Sequence, residues 1–95
     1  RLPLLPYSGV DLSESMGPEY PRILLLEIML NSISAMHPEI KPVEAGGMFD
    51  SDTRAAVIAF QSLYGLPVTG VVDEETWNRL SEVYQLFIIE QQQTH

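Results

Sequence analysis

The chain has 95 residues, the size of one domain, and 45% of them are hydrophobic, so it can bury a core of its own. Its net charge of −8 leaves no basic footprint for nucleic acid and disfavours adsorption to an anionic membrane surface. The chain has no cysteine, which excludes thiol catalysis and cysteine-ligated zinc. Its longest apolar run, residues 23–26, is far too short to span a membrane.

Residues 1–18 are predicted to form an irregular arm or linker, because proline and glycine recur there without a sustained hydrophobic period. We expect the arm to pack partly through Leu4, Leu5 and Tyr7. The abrupt start at Arg1 is typical of a fragment cut from a longer protein.

The first helix is predicted over residues 21–36, since Pro21 suits a first helical turn and His37-Pro38 stops the helix. One apolar face repeats with helical spacing and is expected in the core: Ile23, Leu26, Leu30 and Ile33. A second apolar set lies off that face: Leu24, Leu25, Ile28 and Met29. A helix that is apolar nearly all round is normally buried on several sides. Either the arm and the third helix cover the second set, or it contacts a neighbouring domain or a second copy of the chain.

Two further helices are predicted, over residues 51–64 and 74–91, and the polar tail at residues 92–95 is expected to fray. Gly65 ends the second helix as a left-handed cap residue. The stripes expected to be buried are Ala56, Val57, Phe60 and Leu63 on the second helix, and Trp77, Leu80, Tyr84 and Phe87 on the third. Three helices with short links predict an all-α three-helix bundle over residues 19–91, preceded by the irregular arm.

Two segments with one pattern directly precede the second and third helices. Residues 47–53 and 70–76 both carry Gly at the first position, an apolar residue at the third, Asp at the fourth, an acid at the sixth and Thr at the seventh. Gly permits a turn, the apolar residue packs inward, and Asp50 or Asp73 caps the helix. Two acid-before-base pairs are spaced four residues apart: Asp50 with Arg54, and Glu75 with Arg79. Folding alone explains this repeat.

The acids and histidines form no catalytic or metal-binding pattern. The acidic clusters lie at helix starts, where negative charge is structurally favoured. A calcium loop beginning at Asp50 would need Gly at its sixth position and Glu at its twelfth, where this chain has Ala55 and Gln61. His37 and His95 are far apart and have no HxxxH partner. We therefore predict no catalytic residue, no metal and no cofactor.

A longer pattern contains both repeats. Residues 47–61 read GMFDSDTRAAVIAFQ, residues 64–73 read YGLPVTGVVD, and Thr76-Trp77 follows. The pattern resembles the peptidoglycan-binding domain of bacterial wall hydrolases, which reads G-x-F-G-x-x-T-x-x-A-V-x-x-F-Q and then G-L-x-x-T-G-x-x-D-x-x-T. The resemblance covers roughly residues 19–86. It implies a three-helix fold that attaches hydrolases and spore-associated proteins to the wall.

Four departures from the family pattern are visible. Asp50 replaces the usual Gly and is the better helix cap, whereas Glu27 stands where the first helix usually has Gln. The Gly-containing turn before the first helix is reduced to residues 16–19, and Leu24 and Leu25 replace residues that are often charged. The departures in the first half weigh against ligand binding by that half.

Five residues near the second and third helices are predicted to contact ligand: Arg54, Gln61, Tyr64, Thr69 and Trp77. They offer a charge for stem-peptide carboxylates, stacking faces and hydrogen bonds. The helical period also predicts core packing for Trp77, and the Gln61 side chain is expected to brace the Gly65 turn by bonding to backbone.

The resemblance implies a non-catalytic module that targets or anchors an attached domain to the bacterial cell wall or spore cortex, outside the cell. Its expected partners are the glycan or the stem peptide of peptidoglycan and a neighbouring domain of the same parent chain. The alternative is a degenerate copy that acts as a protein–protein spacer through its apolar first helix, with self-association through Leu24, Leu25, Ile28 and Met29.

Overall fold

The computed structural model describes residues 7, 9–14 and 20–93. Its helices are α1 at Tyr20–Ser34, α2 at Ser51–Leu63 and α3 at Glu74–Gln93, which confirms the predicted all-α, three-helix fold. Both α1 and α2 end slightly earlier than predicted, whereas α3 continues past residue 91 into the predicted tail. Among the described residues, no helix has the length and apolar content needed to cross a membrane.

The helix ends have local causes. Beyond α1, the backbone N–H groups of Met36 and His37 both donate to the carbonyl of Ile33, and the following Pro38 has no N–H to continue the helix. Beyond α2, Leu66 N donates to Gln61 O over 2.9 Å around Gly65, whose φ is 72°. This wrapped ending satisfies carbonyls of the last turn and requires the left-handed conformation that glycine adopts readily.

The described part of the arm is tied to the link between α2 and α3. Leu12 forms an isolated antiparallel bridge with Val72, through N–H to O=C distances of 3.0 and 2.8 Å. The Leu12 side chain is 1% exposed, and the half-buried Tyr7 packs against the same core. Leu4 and Leu5, which were expected to anchor the arm, lie outside the described residues, as does the turn at residues 16–19.

The core faces of α1 are as predicted, with one correction. Ile23, Leu26, Leu30 and Ile33 are fully buried. Met29 is also 0% exposed, so the predicted self-association surface was wrong at this residue. Because α1 packs chiefly against α3, the Met29 side chain is enclosed within the chain and is not available to a second copy.

Leu63, Tyr84 and Phe87 depart from the predicted buried stripes. Leu63 is 38% exposed at the edge of the buried arc of α2, while Leu66 just beyond the helix is buried. Tyr84 and Phe87 are half-buried. For Phe87 the physical reason is helix length: α3 is five residues longer than α1, a difference of about 7 Å at 1.5 Å per residue, and its C-terminal turns have less to pack against.

Candidate functional site

A buried carboxyl group joins α1 to the first repeat. Glu27 is 0% exposed, and its two oxygens accept from Gly47 N and from the Thr53 hydroxyl, both over 2.8 Å. Thr53 Oγ1 also lies 3.0 Å from Asp50 Oδ1 and 3.3 Å from Met48 O. A hydroxyl has one proton to donate, so Glu27 at the shortest distance is its preferred acceptor. The contact fixes the loop that enters α2.

A buried amide joins α2 to the second repeat in the same way. Gln61 is 1% exposed, and its Oε1 accepts from Thr69 N and Gly70 N, each over 3.0 Å. Its Nε2 donates to Val71 O over 3.0 Å and to Thr76 Oγ1 over 3.1 Å. The predicted brace therefore exists, but the side chain holds residues 69–71 and not the Gly65 turn.

The two polar contacts are copies of one arrangement. The distance in sequence from the buried side chain to the turn glycine is 20 residues for Glu27 and 9 for Gln61. The corresponding distance to the threonine is 26 residues for Thr53 and 15 for Thr76. Both intervals are longer by the same amount in the first copy, because its connecting loop is longer. The repeated sequence thus extends to the helix that precedes each copy, a relation that the motif alone did not reveal.

Both predicted caps are present. Asp50 Oδ1 accepts from Thr53 N over 2.9 Å, and Asp73 Oδ1 accepts from Thr76 N over 3.0 Å. The hydrogen bond from Thr53 N is the main cause that lowers the pKa of Asp50 below its ordinary value. Each cap satisfies a donor that the first helical turn cannot pair.

The predicted ligand residues fall in different environments. Gln61 and Trp77 are buried, at 1% and 5% exposure, and serve the core and the 69–71 turn. Thr69 is exposed as a residue, but its hydroxyl bonds within the turn to Val71 N and Gln61 Nε2. The structure brings Gln61 and Thr69 together and keeps Trp77 inside.

Arg54 lies beside the same turn but has a different partner from the one predicted. Its Nε is 4.0 Å from a Glu14 carboxylate oxygen of the arm, and both side chains are about half exposed. Its guanidinium also covers Gly70, where an added Cβ would come within 2.9 Å of Arg54 Nε. Asp50, the predicted partner, is engaged as a helix cap. Likewise Arg79 pairs with Glu82 over 3.4 Å.

Tyr64 lies in a groove formed by the end of α1, the end of α2 and the C-terminal half of α3. The Tyr64 groove has a volume of about 490 Å³ and is lined by Met36, His37, Tyr64, Val83, Leu86, Phe87, Ile89 and Glu90. His37 Nε2 is 2.9 Å from the Tyr64 hydroxyl, and the two rings meet edge to face with centroids 5.7 Å apart. Phe60 packs against the Tyr64 ring, with the two ring centroids 4.7 Å apart. Partial burial raises the pKa of Tyr64.

His37 and Leu86 are the residues of this groove that sequence reasoning missed. His37 was interpreted only as a helix C-terminal residue, yet its ring reaches Tyr64 across 27 positions of sequence. Leu86 is 61% exposed, the most exposed large hydrophobic side chain among the described residues. The sequence did contain a signal for this exposure, because Leu86 lies outside the predicted buried stripe of α3.

A larger concavity of about 910 Å³ lies over the first turns of α3 and has a different chemistry. It is lined mainly by acids, including Asp11, Asp73, Glu74 and Glu75. Tyr7 donates a hydrogen bond to Asp11 there, and this bond is the main cause that raises the pKa of Tyr7 to about 12. Among the described residues, no group of three or more His, Asp or Glu is placed to hold a metal ion.

One known protein family matches most of this chain. The sequence profile of the family described as "Putative peptidoglycan binding domain" matches residues 19–80, about two-thirds of the chain. The chain belongs to this family. A search of the curated proteins found no match. The peptidoglycan-binding match ends at residue 80, so Leu86 and Glu90 of the Tyr64 groove lie beyond the matched residues. Family membership indicates association with the cell wall.

Proposed function

We propose that this chain is a non-catalytic module that holds an attached domain on bacterial peptidoglycan, at the cell wall or the spore cortex outside the cell. The family match carries the proposal. Charge supports it, because a net charge of −8 suits a largely uncharged polymer better than a polyanion. Anchoring requires a surface that binds peptidoglycan but no catalytic group. A module bound in this way raises the local concentration of its attached domain near the wall.

The Tyr64 groove is the proposed contact surface. It is concave and mostly apolar, with a few polar groups at its edge, as ligand sites usually are. Tyr64 and His37 offer ring edges and faces already oriented by their mutual hydrogen bond, so little side-chain freedom is lost on binding. Gln61 and Trp77 are assigned a supporting role, since both are buried.

Arg54 and Thr69 form a second, smaller contact beside the 69–71 turn in this proposal. Arg54 and Tyr64 are ten residues apart on α2 and its cap, about 15 Å along the helix axis. A polymer can reach both, whereas a single sugar cannot. A carboxylate of a peptide stem would compete with Glu14 for the Arg54 guanidinium, whose present partner is 4.0 Å away.

A chemical-shift titration of the labelled 95-residue chain with soluble muropeptides tests this proposal. The largest shifts are expected at Tyr64, His37 and Leu86, with smaller shifts at Arg54. Leu86→Ser removes an apolar wall of the groove and should weaken binding, whereas Met48→Ser, at an exposed position outside the groove, should not. Silence of the spectrum at millimolar muropeptide would contradict wall binding and favour the protein–protein spacer.

A further inference from the structure

We infer that the Tyr64 groove takes the peptide stem of peptidoglycan through a free side-chain amine, and not the glycan strand. The inference rests on the proposed function and names the part of the polymer that this groove recognises. It follows from the groove's supply of polar groups, from the position of its charge and from the shape of its apolar wall.

The groove has few hydrogen-bonding side chains. Of the eight described residues that line it, only His37, Tyr64 and Glu90 carry polar side chains, and the first two are bonded to each other over 2.9 Å. A pyranose presents hydroxyl or amide groups around most of its ring, and each of these loses a water on entering an apolar site. Such groups cost free energy when they are buried without partners. A glycan would therefore bind this groove poorly.

The apolar wall suits short methyl-bearing side chains. Met36, Val83, Leu86 and Ile89 line the groove with aliphatic carbon, and Leu86 is 61% exposed, so much of its surface can still be removed from water. Burying that surface favours binding in proportion to the apolar area removed from water. The alanine residues of a peptide stem supply methyl groups at intervals along an extended chain, which glycan does not.

Charge selects the amine. Among the described residues, Glu90 is the only acid that lines the groove, and it is exposed. No described lysine or arginine lines the groove. Partial burial raises the pKa of Tyr64, and the positive charge of Arg79 acts to lower that pKa. The net charge of −8 repels carboxylates and attracts cations around it. A stem that carries a lysine and an amidated second residue places an ammonium group beside the Glu90 carboxylate and brings few negative charges with it.

Three ligands separate the possibilities in a chemical-shift titration. They are an intact lysine-type muropeptide, its free stem peptide L-Ala–D-isoglutamine–L-Lys–D-Ala, and glycan strands from which an amidase has removed the stems. We expect the muropeptide and the free peptide to shift Tyr64, His37 and Leu86 alike, and the stripped glycan to leave those residues unshifted. Groove shifts with stripped glycan and none with peptide would overturn the inference and leave wall binding standing. No shift with any of the three would overturn both.

The amine is tested by two matched changes. Acetylation of the lysine amine in the peptide, or Glu90→Gln in the chain, should weaken binding about two- to fivefold, as expected for an exposed ion pair. The loss should disappear at high salt, because screening removes the same contribution. Glu44→Gln, at an exposed acid outside the groove, is the control and should leave the affinity unchanged. Equal binding of the acetylated and free peptides at low salt would refute the role of the amine.

Discussion

Exchanging the two buried polar side chains tests the repeated arrangement most sharply, because the structure predicts an asymmetric result. Glu27→Gln keeps an oxygen for Gly47 N and places an amide that can donate to Thr53 Oγ1. The Thr53 hydroxyl can then turn its proton to Asp50 Oδ1 at 3.0 Å. Every group remains paired, so we expect a change in the free energy of unfolding of less than about 1 kcal/mol.

Gln61→Glu can be satisfied only in part, because the Thr76 hydroxyl at 3.1 Å can turn its proton to the new oxygen but the carbonyl of Val71 cannot donate. Its carboxylate would keep the bonds from Thr69 N and Gly70 N, but the second oxygen would replace an Nε2 that lies 3.0 Å from the carbonyl oxygen of Val71. Two acceptors then face each other in a site that is 1% exposed. The lost hydrogen bond to Val71 O, together with a buried carboxylate held against that carbonyl, should cost about 2–4 kcal/mol. Against a total of about 5–14 kcal/mol for a chain of this size, that loss is large.

Urea unfolding followed by circular dichroism at pH 7 measures both changes by linear extrapolation. The Gln61→Glu penalty should shrink as pH falls towards about 4, since a protonated carboxyl group can donate to Val71 O. The sign follows from linkage: the introduced acid has a raised pKa when folded, so its penalty is absent below its unfolded pKa and grows as pH rises. A Gln61→Glu variant within about 0.5 kcal/mol of the parent at pH 7, or a Glu27→Gln variant that loses more than about 2 kcal/mol, would refute the reasoning.

Three further predictions concern the local structure. Asp50→Ala should lower the free energy of unfolding, measured in urea, by about 1 kcal/mol, whereas Asp50→Asn keeps the cap. The difference in stability between the parent and the alanine variant should disappear in acid, as pH falls through the lowered pKa of Asp50. Gly70→Ala should destabilise by about 1 kcal/mol or more, because φ is +77° and the new Cβ meets Arg54; a variant as stable as the parent would contradict that geometry. Leu12→Ala should cost about 2–4 kcal/mol and speed hydrogen exchange of Val72 N–H, and unchanged exchange would show that the arm is not anchored there.

Local features of the sequence predicted most of the fold. The caps at Asp50 and Asp73 and the glycine ending of α2 depend on residues within one turn, so their motifs identify them directly. The face of α1 follows from helical spacing alone. Helical spacing placed Phe87 on the correct face of α3 but overstated its burial, because spacing does not show that α3 extends beyond α1.

Contacts between distant residues were beyond the sequence pattern. Glu27 and Gly47 are 20 residues apart, and neither residue type nor spacing indicates that the Gly47 N–H donates to the Glu27 carboxyl group. The same holds for the Leu12 bridge to Val72 and for the His37 contact with Tyr64, each of which depends on how the links fold back over the helices. Two of the five predicted ligand residues, Gln61 and Trp77, are internal, as the helical period of Trp77 and the expected bracing role of Gln61 already indicated.

The most direct test of the account is co-sedimentation of the labelled chain with purified peptidoglycan sacculi. The parent chain should pellet with sacculi, and Met48→Ser should pellet equally. Leu86→Ser should remain largely in the supernatant while unfolding at the parent's urea concentration. A parent chain that stays in the supernatant at every sacculus concentration would contradict the proposed wall-binding function.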